Sequence, residues 1–283
     1  MAEVLGGRSE QQANSVARRD TLLSSGDTLR TNTAKAKLKA GEAVYGCFIR
    51  YPEPGLVEVM GHHGWDFIVF DGEHGTVDAR DCENMTRAAE LREVTSVVRV
   101  TTNQPPTLLR YLDTGVQGVQ VPWVNNVEEA ERAVKSVKYH PEGIRGLAGV
   151  RAAQYGQTYP LTEYVSKANK ETMVVLQIES RDGVDNVEEI LAVPCIDVVF
   201  IGPMDLSQSY GFPGQPGHED VQKAMHRITD AAKSAKIPLG IMVPNIDAAK
   251  EWRQRGAQYL LTTIEGMLRT GTKAYLDATR GAK

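Results

Sequence analysis

From about residue 43 onward the chain repeats one pattern, a short apolar run that stops at polar, Gly or Pro residues, followed by apolar residues at helical spacing. The short runs are typical of buried strands, and the spacing after them predicts amphipathic helices. The predicted strands are 43–49, 66–71, 95–100, 118–123, 173–179, 196–202, 238–243 and 258–264. The predicted helices that follow them are Gly55–His63, Ala79–Arg92, Pro105–Asp113, Val127–Tyr139, Val184–Ala192, His218–Lys236, Ile246–Arg255 and Gly266–Thr279.

Eight strand–helix units predict a (β/α)8 TIM barrel, an α/β fold, as a single catalytic domain over residues 34–283. An open, doubly wound sheet is the alternative, but that fold usually carries a GxGxxG turn after its first strand. Here the turn reads IRYPEPG, which favours the barrel. The polar residues 1–33 are expected to form a flexible arm or a segment that docks on a neighbouring subunit, and 34–40 a short helix.

One region interrupts the repeat between the fourth and fifth strands. Pro141–Lys170 contains the run GIRGLAGVRAAQYG and an additional predicted helix, TEYVSKANK, at 162–170. We interpret the region as a long βα loop at the rim formed by the carboxyl ends of the strands, where such loops usually bind substrate.

Charge and cysteine content exclude several classes of function. The 283-residue chain has a formal net charge of −4 and no block of basic residues, so no nucleic-acid partner is expected. No apolar run approaches the roughly 20 residues that a membrane-spanning helix needs, so no membrane partner is expected either. Cys47, Cys82 and Cys195 form no CxxC or zinc-binding spacing, which favours free thiols and a reducing, cytoplasmic location.

Two carboxylates stand at the carboxyl ends of neighbouring predicted strands. Glu179 ends the fifth strand and Asp205 follows the sixth. In a βαβ unit these strands are parallel, so their carboxyl ends lie on the same side of the sheet. Two carboxylates brought together there suit a hard divalent cation such as Mg²⁺ or Mn²⁺. The alternative is a pair of ordinary loop acids.

Further polar side chains are predicted at the same rim. His74 follows Asp71 at the end of the second strand, and a carboxylate that accepts from one imidazole nitrogen raises the basicity of the other. Arg99 stands in the apolar run VVRV and therefore requires an anionic partner, either an internal carboxylate or a bound anion. Gln177 precedes Glu179 by two residues, so both side chains are expected to face the barrel interior.

A metal, an arginine and a histidine–aspartate pair at one rim suit chemistry on a small α-keto acid. The metal would bind the carboxylate and keto oxygens and lower the pKa of the adjacent C–H protons. The enolate charge would then be shared between the metal and Arg99. His74 would move a proton to or from a second carbonyl or hydroxyl group.

Several motifs, taken in order, resemble one known family. They are WDFIVFDGEHG (65–75), VVRV (97–100), GVQGVQVPWVNNVEEA (115–130), HPEGIRG (140–146), VVLQIES (174–180) and FIGPMDLSQSYG (200–211). Together they resemble the HpcH/HpaI family of metal-dependent, pyruvate-using class II aldolases, which includes 4-hydroxy-2-oxoheptanedioate and 2-keto-3-deoxy sugar-acid aldolases. The resemblance covers about residues 41–274.

The resemblance implies an enzyme that reversibly cleaves a 4-hydroxy-2-oxo acid to pyruvate and an aldehyde, with Mg²⁺, Mn²⁺ or Co²⁺ as cofactor. It implies that Glu179 and Asp205 are the metal ligands and that the keto acid completes the coordination shell. It also implies that Arg99 stabilises the enolate, and that His74, assisted by Asp71, is the acid–base group.

The resemblance also implies contacts beyond these residues. Gln177 and the Gly202–Pro203 backbone would hold the pyruvate part, and Asp113 in LLRYLDTG would approach the site of a neighbouring subunit. The expected assembly is a homohexamer, a dimer of trimers, with the last barrel helix exchanged between subunits. Gly75 and the MVPN run after strand 7 depart from the usual pattern, which leaves the identity of the aldehyde open.

Three other functions stay open from the sequence. One is oxaloacetate decarboxylation with capture of the enolate, as in macrophomate synthase of the same family. An acyl-CoA lyase of the same superfamily would need a CoA-binding surface, and the Arg145–Arg151 loop carries no large basic cluster. A non-catalytic keto-acid-binding protein would not need the proton-transfer pair of Asp71 and His74.

Overall fold

The eight apolar runs pair side by side as parallel strands, and the last strand pairs with the first to close a barrel in chain order. The computed structural model describes residues 29–281. The strands are β1 Val44–Ile49, β2 Phe67–Asp71, β3 Thr95–Arg99, β4 Gly118–Val121, β5 Met173–Ile178, β6 Val198–Ile201, β7 Leu239–Met242 and β8 Tyr259–Thr263. The prediction of a (β/α)8 barrel is therefore confirmed.

Helices connect the strands on the outside of the barrel and begin at local capping signals. Asn126, for example, accepts a hydrogen bond from the Glu129 N–H and so starts the helix after β4. The helices within the described residues are Thr33–Lys39, Pro54–His62, Ala79–Leu91, Pro105–Leu112, Val127–Val137, Leu161–Glu171, Arg181–Asp185, Val187–Leu191, Pro203–Ser209, Glu219–Ala235, Ile246–Gln254 and Ile264–Arg280, with a 3-10 segment at Arg151–Gly156.

The segment after β5 differs from the expected single helix at Val184–Ala192. Two short helices, Arg181–Asp185 and Val187–Leu191, meet at Asn186. The first begins early because the Ser180 hydroxyl accepts a hydrogen bond from the Gly183 N–H. The short helix Pro203–Ser209 was not predicted, although Pro203 occupies a favourable first position.

The irregular region Pro141–Lys170 lies at the opposite end of the barrel from the one expected. It follows the helix Val127–Val137, which has already returned the chain from the carboxyl rim, and it precedes β5. The region is therefore an αβ connection at the amino ends of the strands, and its interpretation as a βα loop at the substrate-binding rim is wrong. The additional helix predicted within it is present as Leu161–Glu171.

Aromatic rings fill the amino half of the barrel interior. Phe67 stacks on Tyr259 with ring centroids 4.1 Å apart, and Phe200 meets Tyr259 edge to face at 6.1 Å. Gly46 faces the Phe67 ring and Gly240 faces the other two, and a Cβ at either position would overlap ring atoms. Glycine at these two positions lets the rings close-pack into a solid hydrophobic floor.

The short helix Thr33–Lys39 covers the amino end of the barrel, below the aromatic floor. Its Ala34 and Leu38 are buried in the same interior cluster as the aromatic rings. Asn32 is buried and caps this helix by accepting from the Lys35 N–H. Most of the arm predicted over residues 1–33 lies outside the described residues.

Polar side chains replace apolar ones toward the carboxyl ends of the strands. The inward positions change from Val97 to Arg99 on β3 and from Val175 to Gln177 on β5. The Arg99 guanidinium lies 4.5 Å from the centroid of the Phe48 ring, so the polar layer rests directly on the aromatic floor. None of the helices within residues 29–281 has the length and apolar character that crossing a membrane requires.

Candidate active site

The carboxyl rim brings together the side chains that the sequence places at strand ends. Asp71 and Arg99 are the last residues of β2 and β3 and are paired in register. Glu179 directly follows β5, and Asp205 lies in the first turn of the helix after β6. Because the strands are parallel, these residues line one end of the barrel, as expected.

Glu179 is a buried carboxylate held by two neutral donors. Its side chain is 1% exposed, its Oε1 accepts the Trp123 backbone N–H at 2.9 Å, and its Oε2 accepts a hydrogen bond from Gln177. Burial raises the pKa of Glu179 to about 8, and the negative charges of Asp205 and Glu73 add to the increase. The Gln177 and Trp123 hydrogen bonds oppose this rise without cancelling it.

The residues around Glu179 fit a divalent metal. Glu179 and Asp205 offer the oxygen donors that Mg²⁺, Mn²⁺ or Co²⁺ accepts. Gly202 packs against the Glu179 carboxylate, where any Cβ would overlap the carboxylate oxygen, so glycine at this position leaves room for the carboxylate. Among residues 29–281, no group of three or more His, Cys, Asp or Glu side chains is arranged as a metal site. The protein would thus supply two ligands, and solvent or substrate would supply the others.

Arg99 has an internal anionic partner in Asp71. The Arg99 Nε and Nη2 atoms donate to the two Asp71 carboxylate oxygens at 2.9 and 2.6 Å, and Nη1 lies 3.2 Å from the Glu73 carboxylate. Burial acts to raise the pKa of Asp71, but the hydrogen bonds and charge of Arg99, with smaller contributions from the His74 N–H and Arg50, lower it overall. This two-point contact fixes the plane of the guanidinium.

His74 contacts Asp71 in a different way from the one expected. The Asp71 carboxylate accepts the His74 backbone N–H at 3.1 Å, and its oxygens are otherwise taken by Arg99, Arg50 and the Glu73 N–H. The predicted hydrogen bond from the imidazole to Asp71 is therefore replaced by a backbone contact, because the arginines are the stronger competing donors. The imidazole is exposed at the mouth of the site, and its acid–base role stays a prediction.

The residues predicted to hold pyruvate line the inner side of the rim. Gln177 faces the barrel interior, as expected, and accepts a hydrogen bond from Gln120. Gly202 is buried beside Glu179, and Pro203 opens the helix that carries Asp205. Their contacts with a keto acid stay predictions.

Asp113 lies away from this rim within its own subunit. It follows the helix Pro105–Leu112, which runs from the end of β3 back to the amino ends of the strands. There its carboxylate pairs with Arg145 at 3.1 Å, and the Arg145 guanidinium lies 4.7 Å from the centroid of the Tyr139 ring. Its contribution to the site of a neighbouring subunit stays a prediction.

Two groups at the site were given no specific role from the sequence, although the sequence does place Gln120 at the end of the fourth strand. Gln120 is a fully buried polar residue in the run GVQV, and a lone polar side chain in an apolar strand is a usable signal. The second group is the Trp123 N–H, which points at Glu179 because the Trp123 backbone adopts a φ of 54°. A tryptophan rarely adopts a positive φ, and no other residue in the PWVNN segment indicates one at this position, so the sequence could not have revealed it.

Comparison with known proteins gives a consistent picture. A family model described as HpcH/HpaI aldolase/citrate lyase matches residues 44–270. A 5-keto-4-deoxy-D-glucarate aldolase from Enterobacter sp. (strain 638) is 38% identical over 248 residues, or 87% of this chain and 96% of that protein. An HpcH/HpaI aldolase/citrate lyase family structure from Burkholderia cenocepacia J2315 has a TM-score of 0.84 at 33% identity and covers 89% of this chain and 100% of its own. The structure of the citrate synthase SbnG has a TM-score of 0.80 at 29% identity, over 88% of this chain and 98% of its own.

The match to a named aldolase extends over most of both chains and confirms the prediction of a carbon–carbon lyase. The motif resemblance found in the sequence is confirmed by the same matches and by the shared barrel. On these grounds the chain belongs to the HpcH/HpaI aldolase/citrate lyase family.

Proposed function

We propose that this protein is a divalent-metal-dependent aldolase that reversibly cleaves a 4-hydroxy-2-oxo acid to pyruvate and an aldehyde. The observation that carries the proposal is the buried Glu179 carboxylate, whose hydrogen-bond partners are neutral and whose charged neighbours, Asp205 and Glu73, are also acidic. Carboxylates this close in a buried rim repel one another, and a bound cation relieves that repulsion.

The proposed reaction breaks the bond between C3 and C4 of the substrate. A base removes the proton of the 4-hydroxyl group, and the C4 oxygen becomes the carbonyl oxygen of the aldehyde. The bond electrons move toward C3 and delocalise onto the C2 oxygen, which gives the enolate of pyruvate, and protonation of C3 completes pyruvate. A bound Mg²⁺, Mn²⁺ or Co²⁺ supplies Lewis-acid polarisation of the keto group.

Residues of the chain would supply the remaining steps. Arg99 would donate its remaining N–H groups to the enolate oxygen, and the two-point contact with Asp71 orients it before substrate arrives. His74 would take the 4-hydroxyl proton, a role supported by its exposure at the mouth, where the aldehyde part would lie. Gln177 and the backbone of Gly202 and Pro203 would hold the pyruvate part at the inner end.

The test is pyruvate release from a panel of 4-hydroxy-2-oxo acids, followed through coupled lactate dehydrogenase. The panel begins with 5-keto-4-deoxy-D-glucarate because the Enterobacter relative bears that name. Each reaction is run with Mg²⁺, Mn²⁺ or Co²⁺ and again with EDTA, and we expect release that disappears with EDTA and returns when metal is restored. Release at an equal rate in EDTA would contradict the metal proposal.

A second candidate follows from the Arg99 and Glu179 side chains, which would stabilise a pyruvate enolate by whichever route it is formed. It is an enzyme that generates the same enolate from oxaloacetate by decarboxylation and uses it to form a carbon–carbon bond. Metal-dependent consumption of oxaloacetate, without pyruvate release from any 4-hydroxy-2-oxo acid, would favour this candidate over the aldolase.

We further propose that the protein is a homohexamer, a dimer of trimers, whose C-terminal helix, Ile264–Arg280, packs on a neighbouring subunit. Only Ile264 of this helix is buried in the single chain, while Leu268 and Tyr275 are 59% and 70% exposed. Exposed apolar groups on a long amphipathic helix indicate a missing packing partner. Light scattering is expected to give roughly six times the 31.0 kDa chain mass, and Tyr275→Asp a smaller species. A monomeric wild type would contradict the proposal.

A cytoplasmic location is proposed on the state of the thiols. Cys47 and Cys82 are buried and Cys195 is exposed, and all three are free. Free thiols are usual in reducing compartments. Cell fractionation checks this, and recovery in an oxidising compartment would contradict it.

A further inference from the structure

A chain of three buried side chains runs through the polar layer at the carboxyl end of the barrel. Gln120 on β4, Gln177 on β5 and Glu179 just after β5 are 0%, 1% and 1% exposed. The Gln120 Nε2 donates to the Gln177 Oε1 at 2.5 Å, and the Gln177 Nε2 donates to the Glu179 Oε2. The chain is continuous, and each link is a side chain–side chain hydrogen bond.

The direction of the chain is fixed by chemistry at its outer end. Glu179 must be ionised to bind a cation, and an ionised carboxylate only accepts hydrogen bonds, so in the metal-bound state Gln177 must turn its NH2 group toward Glu179. Its carbonyl oxygen then faces Gln120, and Gln120 must in turn present its own NH2 group. A single flip of the Gln177 amide would bring its carbonyl oxygen against the Glu179 carboxylate and remove the donor.

We propose that Gln120 is a positioning residue, which holds the Gln177 amide in the one orientation that supports Glu179 as a metal ligand. The inference rests on the metal site of the proposed function. The Trp123 N–H fixes the Oε1 atom of Glu179 and Gln177 fixes Oε2. With one donor on each oxygen the carboxylate cannot rotate, and each oxygen keeps a lone pair for a cation. Hydrogen bonds of this kind, one step removed from a metal, set ligand orientation and affinity.

The burial of Gln120 argues against a simple packing role. Its side-chain oxygen is buried and has no hydrogen-bond partner within residues 29–281. A buried acceptor without a donor costs about 1–3 kcal/mol, which an apolar side chain at this position would avoid. Of the two ends of the Gln120 amide, the donor end is the one with a hydrogen-bond partner within the described residues, and that partner is Gln177.

The experiment is a double-mutant cycle read as the Mn²⁺ dissociation constant, measured by electron paramagnetic resonance of free Mn²⁺ at fixed pH. The proteins are wild type, Gln120→Leu, Gln177→Leu and the double variant. Gln120→Leu is expected to weaken Mn²⁺ binding by about 10-fold, at the lower end of the range for such outer partners of metal ligands. In the Gln177→Leu background the same change is expected to have less than about a 2-fold effect, because the amide that it orients is gone.

Two further variants separate positioning from folding. Gln117→Leu removes a partly buried glutamine just before β4, whose side chain donates to the carbonyls of Arg30 and Thr31 at the amino end of the barrel. It is expected to lower the melting temperature and to leave Mn²⁺ binding unchanged. Gln120→Glu keeps the size but brings an acceptor against the Gln177 oxygen, and is expected to weaken Mn²⁺ binding at least as much as Gln120→Leu.

The outcomes distinguish this inference from the proposed function. If wild type binds Mn²⁺ and Gln120→Leu binds it equally well, the positioning role is overturned while the metal site stands. An equal loss from Gln120→Leu with and without Gln177 would also overturn it, since the effect would not pass through the amide. If wild type does not bind Mn²⁺, the metal site itself is wrong and the positioning role fails with it.

Discussion

Glu179→Gln is expected to lower kcat/KM by about 10³-fold or more, because Lewis-acid stabilisation is worth several kcal/mol and each 1.36 kcal/mol is a factor of ten in rate. The substitution keeps the size of the side chain and removes the anionic oxygen that a cation requires. The same change is expected to stabilise the metal-free protein near pH 8. Loss of activity together with a gain in stability would show that Glu179 contributes to catalysis and lowers the stability of the metal-free fold.

The stability effect follows from the raised pKa of Glu179. Burial raises this pKa to about 8 in the folded protein, compared with an ordinary value of 4.5. Between those two pH values the folded state binds one more proton than the unfolded state, so stability falls as pH rises through this window. Each pKa unit corresponds to about 1.4 kcal/mol, so the loss by pH 8 is of the order of a few kcal/mol. Glu179→Gln cannot titrate and should not lose it.

The measurement is thermal unfolding at pH 5 and pH 8, in EDTA and in Mn²⁺. Wild type in EDTA should lose stability between the two pH values, Mn²⁺ should restore it at pH 8, and Glu179→Gln should show neither change. Glu189→Gln, at an exposed carboxylate in the helix Val187–Leu191, is the matched control and should behave as wild type. Mn²⁺-dependent turnover by Glu179→Gln would remove Glu179 from the metal site.

Arg99→Leu is expected to lower kcat by about 10²–10³-fold, the usual cost of removing a donor that stabilises developing negative charge. It should also destabilise the fold by about 3 kcal/mol, because it breaks a buried ion pair and leaves the Asp71 charge poorly balanced. The structure therefore adds a folding cost that an arginine bound only to substrate would not have. The effect of Arg99→Leu on turnover must therefore be distinguished from its effect on the stability of the fold.

A second substitution separates them. In the double variant Arg99→Leu with Asp71→Asn, the unbalanced charge is gone, so most of the lost stability should return. Turnover should stay low, because the enolate still lacks its donor. The checks are urea unfolding and steady-state kinetics on the same preparations. If turnover recovers along with stability, Arg99 acts only through folding.

The barrel could be predicted because its signals are local. Each strand is a short apolar run with a sharp polar end, and the capped helices between them have ordinary lengths. The prediction placed Pro141–Lys170 at the carboxyl end of the barrel, but the region lies at the amino end. The helix after the fourth strand, Val127–Val137 in the structure, was predicted, and it already returns the chain to the amino end. The end of the barrel at which a loop lies depends on whether the loop comes before or after the connecting helix, and the length of the loop alone does not reveal it.

The site could be predicted only as far as topology reaches. Parallel strands bring Glu179 and Asp205 to one rim whatever the side-chain details, so their proximity followed from the sequence. The partners of Asp71 did not follow, because Arg99, Arg50 and His74 all compete for two oxygens and distances in three dimensions decide the result. Sequence spacing favoured the His74 imidazole as the hydrogen-bond partner of Asp71. The arginines take that place because they are charged and their side chains extend to the carboxylate.

The aromatic floor has a kinetic consequence for the proposed reaction. Because Phe67, Phe200 and Tyr259 fill the amino half of the barrel, substrate would enter the proposed site from the carboxyl rim, where the exposed His74 lies. The pyruvate part would occupy the inner end beside Arg99, and the aldehyde part the outer end. For the proposed reaction we then expect the aldehyde to depart first and pyruvate last, so that pyruvate competes with the substrate for the empty enzyme while the aldehyde inhibits noncompetitively.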